Sequence, residues 1–174
     1  MQGKSVFTTP WFELIQKEWP GASDPHFSIR TRDYVSVIAR MVDGEFVLVR
    51  QFRPAVGMQT LELVGGHVEA GQTPEEAARN ELLEETGIVA GRLELLGTMK
   101  SDTGRLENST WCFLAENLGR PATQRTEPGV EIVVYSGSLA ELMDEKDFCC
   151  ALNVAALALA LRHGKLSFGK EAVV

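Results

Sequence analysis

The chain has 174 residues, 44% of them hydrophobic and 24% charged, with a formal net charge of −7. That length and balance suit one globular domain with its own core, with a short extension at most. A surface this acidic repels long nucleic acids unless basic residues cluster; here they stand singly or alternate, as at Arg30 and Arg32, which argues against a nucleic-acid groove but leaves room for a small anion carried with a metal.

Residues 1–10 carry one lysine and no apolar run, so no signal peptide is visible. Residues 11–18 read as a strand, and Pro20, Gly21, Ser23, Asp24 and Pro25 mark a turn. Residues 26–32 alternate weakly, so the first third predicts a small antiparallel subdomain. Trp11, Phe12 and Phe27 suit core or dimer packing better than stacking on a base.

Two runs rich in β-branched and aromatic residues, 34–42 and 45–52, flank Asp43-Gly44, a pair that predicts a type I′ hairpin. Residues 60–64 form a further short strand ending at Gly65-Gly66. The clearest helix follows. Thr73 is its N-cap, Pro74 its first residue, Glu76 completes a capping box, and Gly87 stops it after Thr86.

Strands are expected near 92–99, 109–115 and 130–135. Ser138 and Glu141 form a second capping box, and Asp147 is expected to cap the last long helix, which Gly164 ends. The apolar stretch 148–161, broken by Asn153, is too short to span a bilayer and reads as a buried helix. Three cysteines, Cys112, Cys149 and Cys150, are no disulfide framework; they read as small buried hydrophobes in a reducing, cytoplasmic setting. The mixed order of strands and helices predicts an α/β (α+β) domain with a mixed sheet between helices.

On the helix 74–86, Glu81, Glu84 and Glu85 fall at i, i+3 and i+4 and share a face. Each like-charged pair on a solvated helix costs a few tenths of a kcal/mol, and no lysine or arginine lies one turn away on that face. Ala77 and Ala78 leave room beside the carboxylates. A solvated acidic face explains the cluster taken alone; hard divalent cations with oxygen ligands explain it together with Gly65, Gly66 and Gly71, which let backbone approach a metal or phosphate.

Residues 66–88 resemble the Nudix box, G-x5-E-x7-R-E-U-x-E-E-x-G-U with U aliphatic: Gly66, Glu81, Leu82, Glu84, Glu85, Gly87 and Ile88 all match without a gap. The box's first glutamate is Gln72 here and its arginine Asn80. A paired loss removes a structural ion pair without stranding a charge, so activity should survive the double change back, while either single change should destabilise. Residues 45–64, the strand at Trp11-Phe12 and the late helix at 147–163 are similar to the ADP-ribose and nucleotide-sugar pyrophosphatase branch. The segment 101–108 lacks the proline that marks typical ADP-ribose enzymes, which leaves the sugar open.

The resemblance implies an α/β/α Nudix sandwich over residues 34–174 and a dimer-forming strand extension over 1–33. It implies a Mg²⁺-dependent (or Mn²⁺-dependent) hydrolase, a homodimer, that splits the pyrophosphate of a small nucleoside diphosphate derivative into a nucleoside monophosphate and a sugar phosphate. No membrane or nucleic-acid polymer is implied as partner. Glu81, Glu85 and the Gly65 carbonyl would ligate the metal, with Glu84 a further ligand or a holder of its water. The general base would come from Glu127, with Glu131 and Glu107 as alternatives. Arg53 would bind phosphate, with Arg105 and Glu107 as further substrate contacts. His67 lies close by, with no second histidine or cysteine for zinc. A nucleotide-binding domain with weakened catalysis, and a hydrolase of nucleoside triphosphates or dinucleoside polyphosphates, are the competing expectations.

Overall fold

In the computed structural model, which describes residues 3–120 and 129–169, the first three strands stand apart. β1 (Lys4–Thr8), β2 (Glu13–Lys17) and β3 (His26–Arg30) form their own antiparallel sheet in that order. The sequence offers little sign of β1, because all five of its residues are exposed and no burial alternation marks it. β2 begins at Glu13 rather than at Trp11: the Thr9 hydroxyl accepts the amides of Trp11 (3.1 Å) and Phe12 (2.9 Å), holding 9–12 as a turn. Trp11, Phe12 and Phe27 are all exposed, so within one chain they do not pack in a core; Ile15 and Ser28 are the buried residues of this sheet.

The second sheet contains β4 (Tyr34–Met41), β5 (Phe46–Arg53), β6 (Met58–His67), β7 (Arg92–Met99), β8 (Thr110–Leu118) and β9 (Val130–Tyr135), in the spatial order β7-β8-β4-β6-β5-β9. The β4–β8 pair is parallel and the others antiparallel, so the sheet is mixed. Strand β4 is buried on both sides. Its alternation sends Val35 and Val37 against Ala77, Ala78 and Leu82 of α1 (Pro74–Thr86), and Ile38 against the layer formed by α2 (Leu139–Asp144) and α3 (Ala151–Arg162). The result is the expected α/β/α sandwich. Full burial of a side chain such as Leu82 or Leu157 contributes about 1.5–3 kcal/mol, and both helix layers are held this way.

Several local expectations need correction. The hairpin at Asp43-Gly44 is not type I′, which needs two residues at positive φ; only Gly44 has one there (84°). Gly44 N–H donates to Met41 O (3.0 Å) and Met41 N–H to Glu45 O (2.8 Å), the three-residue form with glycine last. Strand β6 does not end before the glycines but runs through Gly65 and Gly66, which pair with Ser36 and Val35. Ala77 and Ala78 are core residues rather than spacers beside the carboxylates. Asp147 does not cap the last helix: α3 begins at Ala151 behind Cys150, which makes no side-chain cap, while Asp147 meets Arg50 at 3.4 Å. Of the cysteines only Cys112 is buried, and burial pushes its thiol pKa up to about 11; Cys149 is exposed. No described helix is long and apolar enough to cross a membrane.

Candidate active site

The box helix is built as its sequence dictates. The Thr73 hydroxyl accepts the Glu76 amide (3.2 Å), the Glu76 carboxylate accepts the Thr73 amide (2.8 Å), and Gly87 closes the helix at φ 72° with its N–H on Leu83 O. The Thr73 bonds hold the Glu76 pKa below the ordinary carboxylate value. Its buried side carries Ala77, Ala78, Leu82 and Glu85, so the carboxylates are set by the packing of the same turns.

The end of β6 lies against that helix. A Cβ on Gly66 would fall 1.9 Å from Glu81 Oε1, so the missing side chain is the space the Glu81 carboxylate occupies. Glu85, 8% exposed, accepts the Gly65 amide at 3.2 Å. Gly65 is itself constrained: a Cβ there would meet Val35 O at 2.3 Å and the Tyr34 ring at 3.2 Å. Glu84 is exposed. Three acidic residues on one face therefore split into two laid against glycine backbone and one facing water.

Around them stand Arg53 and His67, both expected from the sequence, together with Glu62, Thr60 and Tyr34, which were not. Arg53, at the end of β5, donates from Nε (2.8 Å) and Nη2 (2.5 Å) to Glu62 of β6, and the Thr60 hydroxyl donates to the same carboxylate at 2.6 Å. Burial raises the Glu62 pKa, but the bonds from Arg53 and Thr60 outweigh it and hold it below the usual range. Glu62 in turn raises the Arg53 pKa above its already high value. Tyr34 lies within the fields of Arg53, Glu62, Glu85 and Glu81, and burial is the main reason its phenol pKa is raised. The available signal was Glu62 itself, a carboxylate between Leu61 and Leu63 in a strand buried on both faces. His67 packs edge-on against Tyr34 with ring centroids 5.6 Å apart; its Nδ1 is buried without a hydrogen bond, and burial with Arg32 nearby lowers its pKa.

The structure thus brings together Gly65, Glu81, Glu85 and Arg53, with Glu84 on the same helix. It places Glu131, Glu107 and Arg105 elsewhere. Glu131 pairs across strands with Arg50 (3.8 Å) and, by alternation with Val130 and Ile132, lies on the sheet face away from α1. Glu107 binds Lys17 (2.6 Å), Ser28 (2.6 Å) and Arg30 (2.9 Å) of the N-terminal sheet, and the first two of these chiefly lower its pKa to about 2. Arg105 is exposed and meets Asp102 at 3.6 Å. Glu127 lies outside the described residues. Gln72 does not reach for Asn80: its Oε1 accepts the Glu69 amide at 3.1 Å, and Asn80 is exposed. A single charge at position 80 would then be solvated, which removes the reason to expect Asn80→Arg alone to destabilise.

Among the described residues no three histidine, cysteine, aspartate or glutamate side chains converge on one point as a metal cage. The donors offered are carboxylate and carbonyl oxygens, and the cradle left by Gly66 sets one of them against the strand. That fits Mg²⁺, which is usually held by one or two carboxylates with water and substrate phosphate completing the shell.

The family model for the NUDIX domain matches residues 30–147. "Putative nudix hydrolase 2" of Caenorhabditis elegans is 32% identical over 117 residues, covering 66% of this chain and 52% of that protein. "ADP-ribose pyrophosphatase" of Bacillus subtilis (strain 168) is 34% identical over 84 residues, 48% of this chain and 45% of that protein. The chain therefore spans about half the length of these curated relatives. In fold it is similar to a solved structure titled "Crystal structure of ADP compounds hydrolase", with a TM-score of 0.74 over 95% of both chains at 22% identity. The family match covers the strands that carry Arg53 and Glu62 as well as the glycine-cradled carboxylates of the box helix, and on that breadth the chain belongs to the Nudix family.

Proposed function

We propose that the protein hydrolyses the pyrophosphate link of a nucleoside diphosphate compound, a nucleotide sugar or ADP-ribose, with Mg²⁺ or Mn²⁺. The products would be a nucleoside monophosphate and a sugar phosphate. The observation that carries this reading is the placement of Glu81 and Glu85 against the glycine backbone of β6. The relatives' names, an ADP-ribose pyrophosphatase and an ADP compounds hydrolase, support the substrate class.

Glu81, Glu85 and the Gly65 carbonyl would hold the ion, and Glu84 would complete its shell or hold water. Bound there, the dication supplies positive charge to phosphate oxygens and acidifies water. Arg53 would donate to a phosphate oxygen of the substrate. Glu127 remains the proposed base on its sequence position alone. Residues 34–174 would form the hydrolase unit and residues 1–33 a dimer-forming extension, in a cytoplasmic protein.

The test is turnover of a nucleotide-sugar panel in excess Mg²⁺. Activity should vanish in EDTA and return with Mg²⁺, and Glu85→Gln should lower kcat roughly 100-fold or more. Folded protein that binds these compounds but cleaves none of them would point to the nucleotide-binding alternative instead.

A further inference from the structure

Glu62 is 6% exposed, and its position follows from the sheet. The register sets Glu62 opposite Val49 and Thr60 opposite Gln51. Thr60 and Glu62 share the α1-facing side of β6 with Val64, so a polar cluster follows the valine layer along the strand. Both oxygens of Glu62 are used: Oε1 accepts Arg53 Nε and the Thr60 hydroxyl, and Oε2 accepts Arg53 Nη2. Two parallel bonds fix the plane of a guanidinium, which one bond leaves free to turn. The Arg53 side chain is still 39% exposed, and its Nη1 is not part of the fork. Tyr34 borders Arg53 and Glu62, and its ring lies 3.2 Å from where a Cβ on Gly65 would stand, beside the amide that Glu85 accepts, so the fork adjoins the carboxylate face. A buried ion pair is a poor stabiliser beside apolar residues of the same volume; what this one provides is orientation.

We propose that Glu62 and Thr60 are positioning residues that aim the Arg53 guanidinium at the diphosphate of the substrate. This rests on the function proposed above. Neither residue touches substrate. Glu62 holds the Nε–Nη2 edge, Thr60 holds Glu62, and the Nη1 edge is presented to a phosphate oxygen. With its charge offset by Glu62, Arg53 acts through directed hydrogen bonds, a role lysine cannot fill.

The test is calorimetric Kd for α,β-methylene-ADP, with and without Mg²⁺, beside kcat and KM for a cleaved nucleotide sugar. The variants are Arg53→Ala, Arg53→Lys, Glu62→Gln, Thr60→Val and the two doubles that combine Glu62→Gln or Thr60→Val with Arg53→Ala, each with its Tm. Arg53→Ala should weaken binding about 10- to 100-fold, Glu62→Gln about 5- to 20-fold and Thr60→Val about 2- to 5-fold. Arg53→Lys should do no better than alanine, and each double should bind no worse than Arg53→Ala alone. Thr60→Val keeps the shape of the site and decides the matter if Glu62→Gln fails to fold. The proposal is overturned if the folded Glu62 and Thr60 variants bind like wild type, or if their losses persist undiminished beside Arg53→Ala. Wild-type affinity in Arg53→Ala also overturns it while leaving the hydrolase reading intact. Wild-type protein that neither binds the analogue nor cleaves any nucleotide sugar removes both.

Discussion

Adding a methyl group at position 66 would place it 1.9 Å from a Glu81 carboxylate oxygen, and adding one at position 65 would place it 2.3 Å from the Val35 carbonyl. The two clashes differ in kind. Glu81 is the end of a flexible side chain and can move away, so Gly66→Ala should leave Tm nearly unchanged while kcat in Mg²⁺ falls at least about 10-fold through a misplaced carboxylate. The Val35 carbonyl belongs to the central strand and cannot yield, so Gly65→Ala should cost about 1–3 kcal/mol by denaturant titration. Equal effects of the two substitutions on both readouts would show that Glu81 is not held by the Gly66 cradle. Neighbouring glycines thus do different things, and only the fold tells them apart: Gly66 faces a helix side chain, Gly65 a strand backbone.

Among the elements, the junction between β3 and the segment after β7 couples the N-terminal sheet to the rest. Ile29 N–H donates to Arg105 O (2.7 Å) and Glu107 N–H to Ile29 O (3.0 Å), and the Glu107 carboxylate takes Lys17, Ser28 and Arg30. Those contacts hold its pKa at about 2, against an ordinary 4.5. The folded state therefore binds this proton less tightly than the unfolded state does. The stability from Glu107 is complete above about pH 4.5 and disappears as the pH falls toward 2. Glu107→Gln should lower Tm at pH 7 and lose less further Tm between pH 5 and pH 2 than wild type does. Parallel acid profiles for the two proteins would mean that this junction contributes nothing. The helices were the more legible elements, since each box at Thr73 and Ser138 is a local contact over three residues. The edge strand β1 and the start of α3 were not, because exposed residues leave no burial pattern and Cys150 caps nothing.

For the whole molecule, the N-terminal sheet exposes Val6, Phe7, Trp11, Phe12 and Phe27, with Trp19 in the turn between β2 and β3, an apolar concentration that a monomeric surface seldom carries. If this extension forms the dimer, light scattering should give about twice the chain mass, and Trp11→Ser with Phe7→Ser should shift it to one chain at equal helix content. A wild-type monomer at high concentration would remove the dimer from the proposal. By itself the sequence determined the box helix, its caps, the acidic face and the alternation of the central strands, because these depend on spacing and on residues within a turn or two of each other. Tertiary structure alone decided that β6 continues through its glycines, that Glu131 lies on the face away from α1, that Glu107 binds the N-terminal sheet, and that Arg53 is forked by Glu62. Those facts depend on which strands pair, in what register and on which face, and residues far apart in the chain acquire such relations only when the sheet assembles.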